Sequence, residues 1–465
     1  MAGNTDAVLM DAVRGLLRDV AATVPARERP AVEAVTSRVF GAPTVALAGR
    51  VSSGKSTLAN ALIGQQIAPT DQRECTRVAT LYEFGVPERA ELVGLDGARH
   101  ERPAFGSREL GCPPEDVDFE VVHLAQAPLR DRYRIIDTPG LTGHTTSSER
   151  ATRRALIDGH GLPAPDAVLF LVEGGRLRTD EVSFLQDLGA SPRNTMLVSS
   201  QADTAGEGAA GDVDPFDVAA QHAAVLAREF AHFTQLVVPV SGLMAEAAEL
   251  GISEREAAAL SSLAGIDRDE LLLAIHAGET SPEIAGLLER IGLYGLLHGR
   301  NRARAGAVAM SDWLLDRSGL VTLRRAIDTV LRRASSVGRA RVAVAGVREL
   351  AGRSAARDAV AALLERFELA PAAHRLRETA VADRLRRREP DSPVLARLAA
   401  VLAADGPAAV CGLPPSASPA QITSRAAALL TDCRAQRIAV LSSAEREALT
   451  VLERTYQLAA EGGSR

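Results

Sequence analysis

Two architectures in one chain are what the sequence predicts: an α/β domain with a doubly wound, mainly parallel sheet over residues 43–245, and an all-α bundle over 246–465. Three observations carry this. Strand-like and helix-like stretches alternate from about residue 43 to about residue 245, as they do when helices wrap both faces of a parallel sheet. Beyond about residue 246 the strand signals stop, and helix follows helix, rich in Ala, Leu, Arg and Glu. Aromatic residues make up 3% of a chain that is 46% hydrophobic, so its interior rests on aliphatic side chains, which favours packed helices over a large β-sandwich.

The elements follow in order. Val8, Leu9, Ala12, Val13, Leu16, Leu17 and Val20 recur at helical spacing and predict an amphipathic helix over 6–24. Pro25 to Pro30 breaks it, a short helical stretch follows, and Gly41-Ala42-Pro43 delivers the chain into a strand. The apolar stripe of the first helix needs a partner, so residues 1–42 are assigned to the bundle. Strands are expected at Thr44–Ala48, Val78–Phe84, Phe119–Leu124, Tyr133–Ile136, Ala167–Val172, Asn194–Ser199 and Leu236–Val240. In the helical half, Ala355–Phe367 and Ser392–Ala404 are clear helices, and Pro407–Pro419 is a connection.

The first strand runs into Gly49-Arg50-Val51-Ser52-Ser53-Gly54-Lys55-Ser56, a full G-x-x-x-x-G-K-[ST] match, and Ser56-Thr57-Leu58-Ala59 opens a helix behind it. Lys55 is the only lysine in 465 residues. A composition that otherwise uses arginine keeps lysine where a compact ammonium must reach between β- and γ-phosphates. The loop amides and the positive end of the helix form an anion cradle, and the Ser56 hydroxyl is placed for Mg²⁺. Candidate nucleotide contacts are therefore Gly49, Arg50, Val51, Ser52, Ser53, Gly54, Lys55, Ser56 and Thr57.

Ile135-Ile136-Asp137-Thr138-Pro139-Gly140 follows about 80 residues later, with an aspartate at a strand end before a turn. Asp137 is expected to hold Mg²⁺ through water, and the Gly140 amide to sense a γ-phosphate. Between the two motifs, Thr76 is chosen over Thr70 and Thr80 as the threonine that closes over Mg²⁺. Ser199-Ser200-Gln201-Ala202-Asp203 lies where GTPases carry [NT]-K-x-D, with Asp203 placed to accept from guanine N1 and N2. Val240-Ser241-Gly242 matches the last base-contacting loop, adding Ser241 and Gly242.

Composition excludes other classes. No window of about 20 apolar residues is present, and the longest uncharged stretch, Gly406–Ser424, is broken by Pro, Gly and Ser. The start has no basic region followed by an apolar run, so a cytoplasmic chain is expected. Cys75, Cys112, Cys411 and Cys433 lie far apart without zinc-ligand spacing, so no structural metal is expected. Net charge is −6, yet Gly295–Pro390 holds 20 Arg against 10 Asp plus Glu. This basic region is either a set of solvated helix faces or an attraction to anionic lipid or an acidic partner.

Together the phosphate loop, the Thr70-Asp71-x-x-Glu74-x-Thr76-Arg77-x-x-Thr80 stretch, the Asp137 turn, the Ser200-Gln201-Ala202-Asp203 element and Pro239-Val240-Ser241-Gly242-Leu243, followed by a helical half, resemble the bacterial dynamin-like GTPases. The isoniazid-inducible group of mycobacteria and its actinobacterial relatives is the nearest in pattern, and Asp316–Arg324 resembles that group outside the GTPase motifs. The resemblance implies a P-loop GTPase domain with a helical stalk, GTP as substrate, Mg²⁺ as cofactor, and nucleotide-dependent dimerisation that moves the stalk. It implies peripheral action on the inner face of the membrane, in remodelling, septation or envelope stress, with a second dynamin-like protein as a further partner. Lys55, Ser52, Thr76 and Gly140 then take the catalytic positions, and Ser56, Thr76 and Asp137 the metal positions. The chain departs from the family at Val51, where dynamins usually carry a catalytic Gln, and at Ser200 and Gln201, where GTPases carry Asn or Thr and Lys. Three alternatives stand beside this reading: a regulatory switch, a low-activity scaffold that partners another GTPase, and a ribosome-associated GTPase. No RNA-binding module is recognisable, so no nucleic acid partner is expected.

Overall fold

A computed structural model describes residues 4–68, 78–105, 113–142, 147–158, 162–192, 194–234, 236–439 and 442–463. The chain forms two compact units, one of Ala42–Leu331 and one of Met1–Gly41 with Arg332–Arg465.

The first unit is built on a nine-stranded sheet of β1 (Thr44–Gly49), β2 (Ala79–Phe84), β3 (Arg89–Gly94), β4 (Arg99–Arg102), β5 (Val117–Leu124), β6 (Arg134–Asp137), β7 (Ala167–Val172), β8 (Thr195–Ser200) and β9 (Val237–Val240). Their order is β4-β3-β5-β2-β6-β1-β7-β8-β9. β6, β1, β7, β8 and β9 run parallel as one block, so their carboxyl ends share an edge. β1, β7 and β8 are buried along their whole length, as near-continuous apolar runs in a sheet covered on both faces must be.

Beyond β6 the sheet turns mixed: β2 is antiparallel to β6 and parallel to β5, and β3 is antiparallel to both β5 and β4. The sequence reading missed the β3–β4 hairpin. In Arg89-Ala90-Glu91-Leu92 apolar residues do alternate with charged ones, and Ala90 and Leu92 are buried while Arg89 and Glu91 are partly exposed. β4 beside it, Arg99-His100-Glu101-Arg102, is the edge strand, and it is short and charged, as a strand that must resist pairing with other chains tends to be.

The helical half does not begin at residue 246 as the sequence reading placed it. Glu254–Ser262, Arg268–His276, Pro282–Gly299 and Ala307–Arg317 bury Leu260, Leu271, Leu287, Ile291, Met310 and Leu314 with Met244 and Ala247, all within the sheet-bearing unit. Farther on, Leu320, Leu323 and Ile327 join Leu47, Leu62 and Val240 in one core. Loss of strand signal marks the end of the sheet, and the sheet's apolar face still has to be covered by later helices.

In the second unit, Leu9, Val13, Leu16 and Val20 of helix Asn4–Thr23 pack with Ala340, Val347, Val360 and Leu364. The Pro407–Pro419 connection overlaps a short helix, Gly406–Val410. Cys411 and Cys433 are buried free thiols, whereas Cys75 and Cys112 lie outside the described residues. Among the described residues no helix is long and apolar enough to cross a membrane.

One junction fixes the last loop of the sheet edge. The Ser241 amide donates to the Ser318 carbonyl at 2.9 Å, and Gly319 follows with φ +82°. A Cβ at Gly319 would lie 2.2 Å from the Pro239 carbonyl oxygen of β9. Gly319→Ala is therefore expected to destabilise the unit by about 3 kcal/mol, combining left-handed strain with a backbone clash. Urea unfolding checks this, and a loss under about 0.5 kcal/mol would contradict it.

Candidate nucleotide-binding site

The parallel block brings the sequence motifs to one edge. Leu47 of β1 pairs with Asp137 of β6, so the loop after β1 and the turn after β6 leave the sheet side by side. The pairing continues past the strand ends: the Leu141 amide donates to the Gly49 carbonyl at 3.0 Å, and the Val51 amide to the Leu141 carbonyl at 3.2 Å. A Cβ on Gly140 would lie 2.6 Å from both the Cα and the amide nitrogen of Val51. Glycine at this turn is thus required by close backbone approach.

The loop itself is left-handed at Ser52 (φ +64°) and Gly54 (φ +88°), and helix Lys55–Ile63 starts immediately after. Gly54 has open space where a Cβ would be. The Lys55 side chain turns back over the loop, its Nζ 2.6 Å from the Arg50 carbonyl, and is largely buried. Ser56 Oγ donates to Asp137 Oδ2 at 2.8 Å, and Asp137 is fully buried. Thr138 Oγ1 donates to the Leu47 carbonyl at 2.7 Å, which ties the turn to β1.

The fit of Mg²⁺ and phosphate rests on this donor set. A buried carboxylate and a hydroxyl in contact are hard oxygen donors, which suits Mg²⁺. The ammonium of Lys55 and the amides at the helix start supply the charge complement of a phosphate. The buried Ser53 Oγ makes no hydrogen bond among the described residues.

Base-side residues meet the same edge from β8 and β9. Gln201 is left-handed (φ +54°), and its Nε2 donates to the Ser52 carbonyl at 2.9 Å, so the residue in the family's lysine position braces the phosphate loop. Asp203 is buried. Burial pushes its carboxyl up from the usual 3.8, against hydrogen bonds from the Ser241 hydroxyl and its own amide. Ser241 also caps helix Gly242–Leu250 by accepting from the Met244 amide. Gly242 faces Thr57, whose Cγ2 would lie 3.4 Å from an added Cβ. Arg50 is directed away from the Lys55 contacts: its guanidinium pairs with Asp180 at 2.8 Å. Thr76, with the rest of 69–77, lies outside the described residues.

Three supporting residues escaped the sequence reading. Gly292 (φ +69°) kinks helix Pro282–Gly299 beside Asp203, where a Cβ would come 3.1 Å from Asp203 Oδ2. A glycine in a helical run was its signal, one it shares with Gly286 and Gly295 of the same helix. Asn60 accepts from the Ile67 and Ala68 amides at 3.0 and 2.7 Å and donates to Glu246 Oε1 at 2.7 Å. It thus anchors the chain where it enters the segment that carries Thr76. Its signal was an amide inside the otherwise apolar run Leu58–Ile63. Asp180, the partner of Arg50, carried no sequence signal.

Residues 45–199 match the family model described as the dynamin family. This stretch is a dynamin-family domain. The isoniazid-induced protein IniC of Mycobacterium tuberculosis is 32% identical to it over 340 residues, covering 65% of this chain and 66% of that relative. A bacterial dynamin-like protein of Nostoc punctiforme is 29% identical over 117 residues, or 22% of this chain and 17% of its own. The chain therefore spans just under two thirds of the length of IniC. A solved structure of an oligomerised bacterial dynamin pair aligns with a TM-score of 0.36 at 14% identity, covering 86% of this chain and 79% of that one.

The raised Asp203 pKa has a measurable consequence. A carboxyl raised on folding favours the fold fully below its unfolded value of 3.8 and loses that contribution as pH rises through the folded value. Asp203→Asn, which removes the buried charge, should melt above the wild type at neutral pH without nucleotide, with the gap closing as the pH falls toward 4. A gap that is absent at pH 7, or that widens in acid, would contradict the assignment.

Proposed function

We propose that this chain binds and hydrolyses GTP with Mg²⁺, dimerises through its nucleotide face, and couples that cycle to movement of its helical bundle at a membrane surface. The observation that carries the proposal is the Lys55, Ser56 and Asp137 cluster at the adjoining ends of β1 and β6, inside the stretch that matches the dynamin family. The presence of an IniC-like sequence beyond that stretch supports extending the reading to the helical half.

In this reading the Lys55 ammonium neutralises the β- and γ-phosphates, and the loop amides from Arg50 to Ser56 cradle them. Ser56 and Thr76 would ligate Mg²⁺ directly, and Asp137 through water; when bound, the ion offsets the charge that builds on the phosphate oxygens. The Gly140 amide would orient the γ-phosphate, and Ser52 would stabilise developing charge. Asp203 would accept from guanine N1 and N2, with Gln201, Ser241 and Gly242 forming the rest of the base site. Thr76 takes its role from the sequence alone.

Val51 sets the expected rate. Its side chain packs over Gly140 and has no group that can orient water, so an isolated protomer should turn over slowly and depend on dimerisation for speed. GTP turnover per molecule should climb with protein concentration and with anionic vesicles, and Lys55→Ala should lower it by at least about 100-fold. Tight GTP binding with flat, near-zero turnover would instead favour the scaffold or switch, and an unimpaired Lys55→Ala would overturn the site.

A further inference from the structure

In the unit that holds the bundle, helices Leu320–Arg353, Arg357–Leu369 and His374–Arg388 border a cavity of about 410 Å³. Two stripes face each other across it. Arg341, Val344 and Arg348 come from the first helix at i, i+3 and i+7. Ala373, the residue just before the last helix, and Leu376, Arg377 and Ala380 of its first turns follow at i, i+3, i+4 and i+7. Glu368 completes the lining.

The chemistry of the lining is lopsided. Val344 and Ala373 are buried and, with Leu376 and Ala380, make an apolar wall. Three guanidinium groups and one carboxylate line it, and a second carboxylate, Asp383, lies just outside the lining. Arg348 pairs with Glu368 at 2.6 Å, and Arg341 reaches Asp383 at 3.4 Å. Arg377 forms no ion pair among the described residues. Arg341 and Arg348 stay 46% and 63% exposed, so their heads remain available while their stems cover the wall.

Cations on solvated helix faces are ordinary, and most of the Arg residues in Gly295–Pro390 need no other account. These three differ because they converge from two helices on one concave, methyl-lined space. Guanidinium groups recognise phosphate oxygens through paired hydrogen bonds, and a volume near 400 Å³ is that of a small-molecule site.

We infer that this cavity binds the phosphate-bearing headgroup of an anionic amphiphile, with Arg341 and Arg377 on the phosphate and the Val344–Leu376–Ala380 wall against the glycerol and first methylenes. The surrounding excess of arginine would draw the unit toward such a surface. The inference rests on the membrane-surface reading above only in taking the headgroup from a bilayer; a soluble phosphate ester has the same chemistry.

The test uses the full chain, sedimented with phosphatidylglycerol and with phosphatidylcholine vesicles, and titrated calorimetrically with glycerol phosphate. Three variants are compared with the wild type. Arg341→Ala with Arg377→Ala removes two cavity cations, and Ala380→Phe fills the space without changing charge. Arg387→Ala with Arg388→Ala removes two exposed cations from the end of the same helix. Phosphatidylglycerol binding should fall at least about tenfold further in the cavity double variant than in the Arg387/Arg388 control, and about tenfold in Ala380→Phe. Equal losses in the two double variants, or an unaffected Ala380→Phe, would overturn the site and leave the membrane reading standing. Glycerol phosphate binding that the cavity variants abolish, without vesicle binding by the wild type, would support the cavity and contradict the membrane reading. Binding of neither probe by the wild type would overturn the cavity.

Discussion

The nucleotide edge depends on one backbone contact, the approach of Gly140-Leu141 to Gly49-Arg50-Val51. β1 and β6 stay paired beyond their last strand residues, and that pairing, with the Thr138 hydroxyl on the Leu47 carbonyl, sets the distance between the phosphate loop and the Asp137 turn. Because the amide and Cα of Val51 occupy the space a side chain on Gly140 would need, the two segments act as one rigid piece. The Ser56–Asp137 hydrogen bond is a consequence of that register. So is the seat of Lys55, whose reach back to the Arg50 carbonyl requires the left-handed turns at Ser52 and Gly54.

A second layer holds this piece from behind. Asn60 and Glu246 join the phosphate-loop helix to helix Gly242–Leu250 and fix where the chain departs toward Thr76. Burial raises the Glu246 carboxyl, against the hydrogen bond from Asn60. The Arg324 guanidinium bonds both the Ala61 carbonyl and Glu249, which ties the start of the long helix Leu320–Arg353 to the same two helices. Changes at the phosphate loop thus have a short, fully bonded path to the root of the helix that leads out of this unit. Asp203 is held by comparable means, with Ser241 on one side and the Gly292 kink on the other.

Much of this was legible because it is local. The strand, glycine loop and helix around Lys55 fall within 20 residues, and the apolar runs of β1, β7 and β8 announce buried parallel strands. The β3–β4 hairpin was not legible, since charged residues at an edge mask its alternation. The extent of the first unit was not legible either, because helices covering a sheet and helices packing in a bundle share one periodicity. Gly292, Asp180 and Glu246 act through contacts across 60 residues or more of chain, and a single sequence carries no record of who meets whom. The residue types were nonetheless visible as anomalies at Asn60 and Gly292, an amide and a glycine where helix periodicity calls for neither.

The proposed function requires Ser56 and Asp137, which are hydrogen-bonded to each other, to share one metal and phosphate position. The most direct test is the affinity of wild type and Ser56→Ala for a fluorescent GTP analogue, each with Mg²⁺ and with EDTA. Mg²⁺ should tighten binding by the wild type at least about tenfold and leave Ser56→Ala nearly unchanged. An equal Mg²⁺ response in both proteins would contradict it.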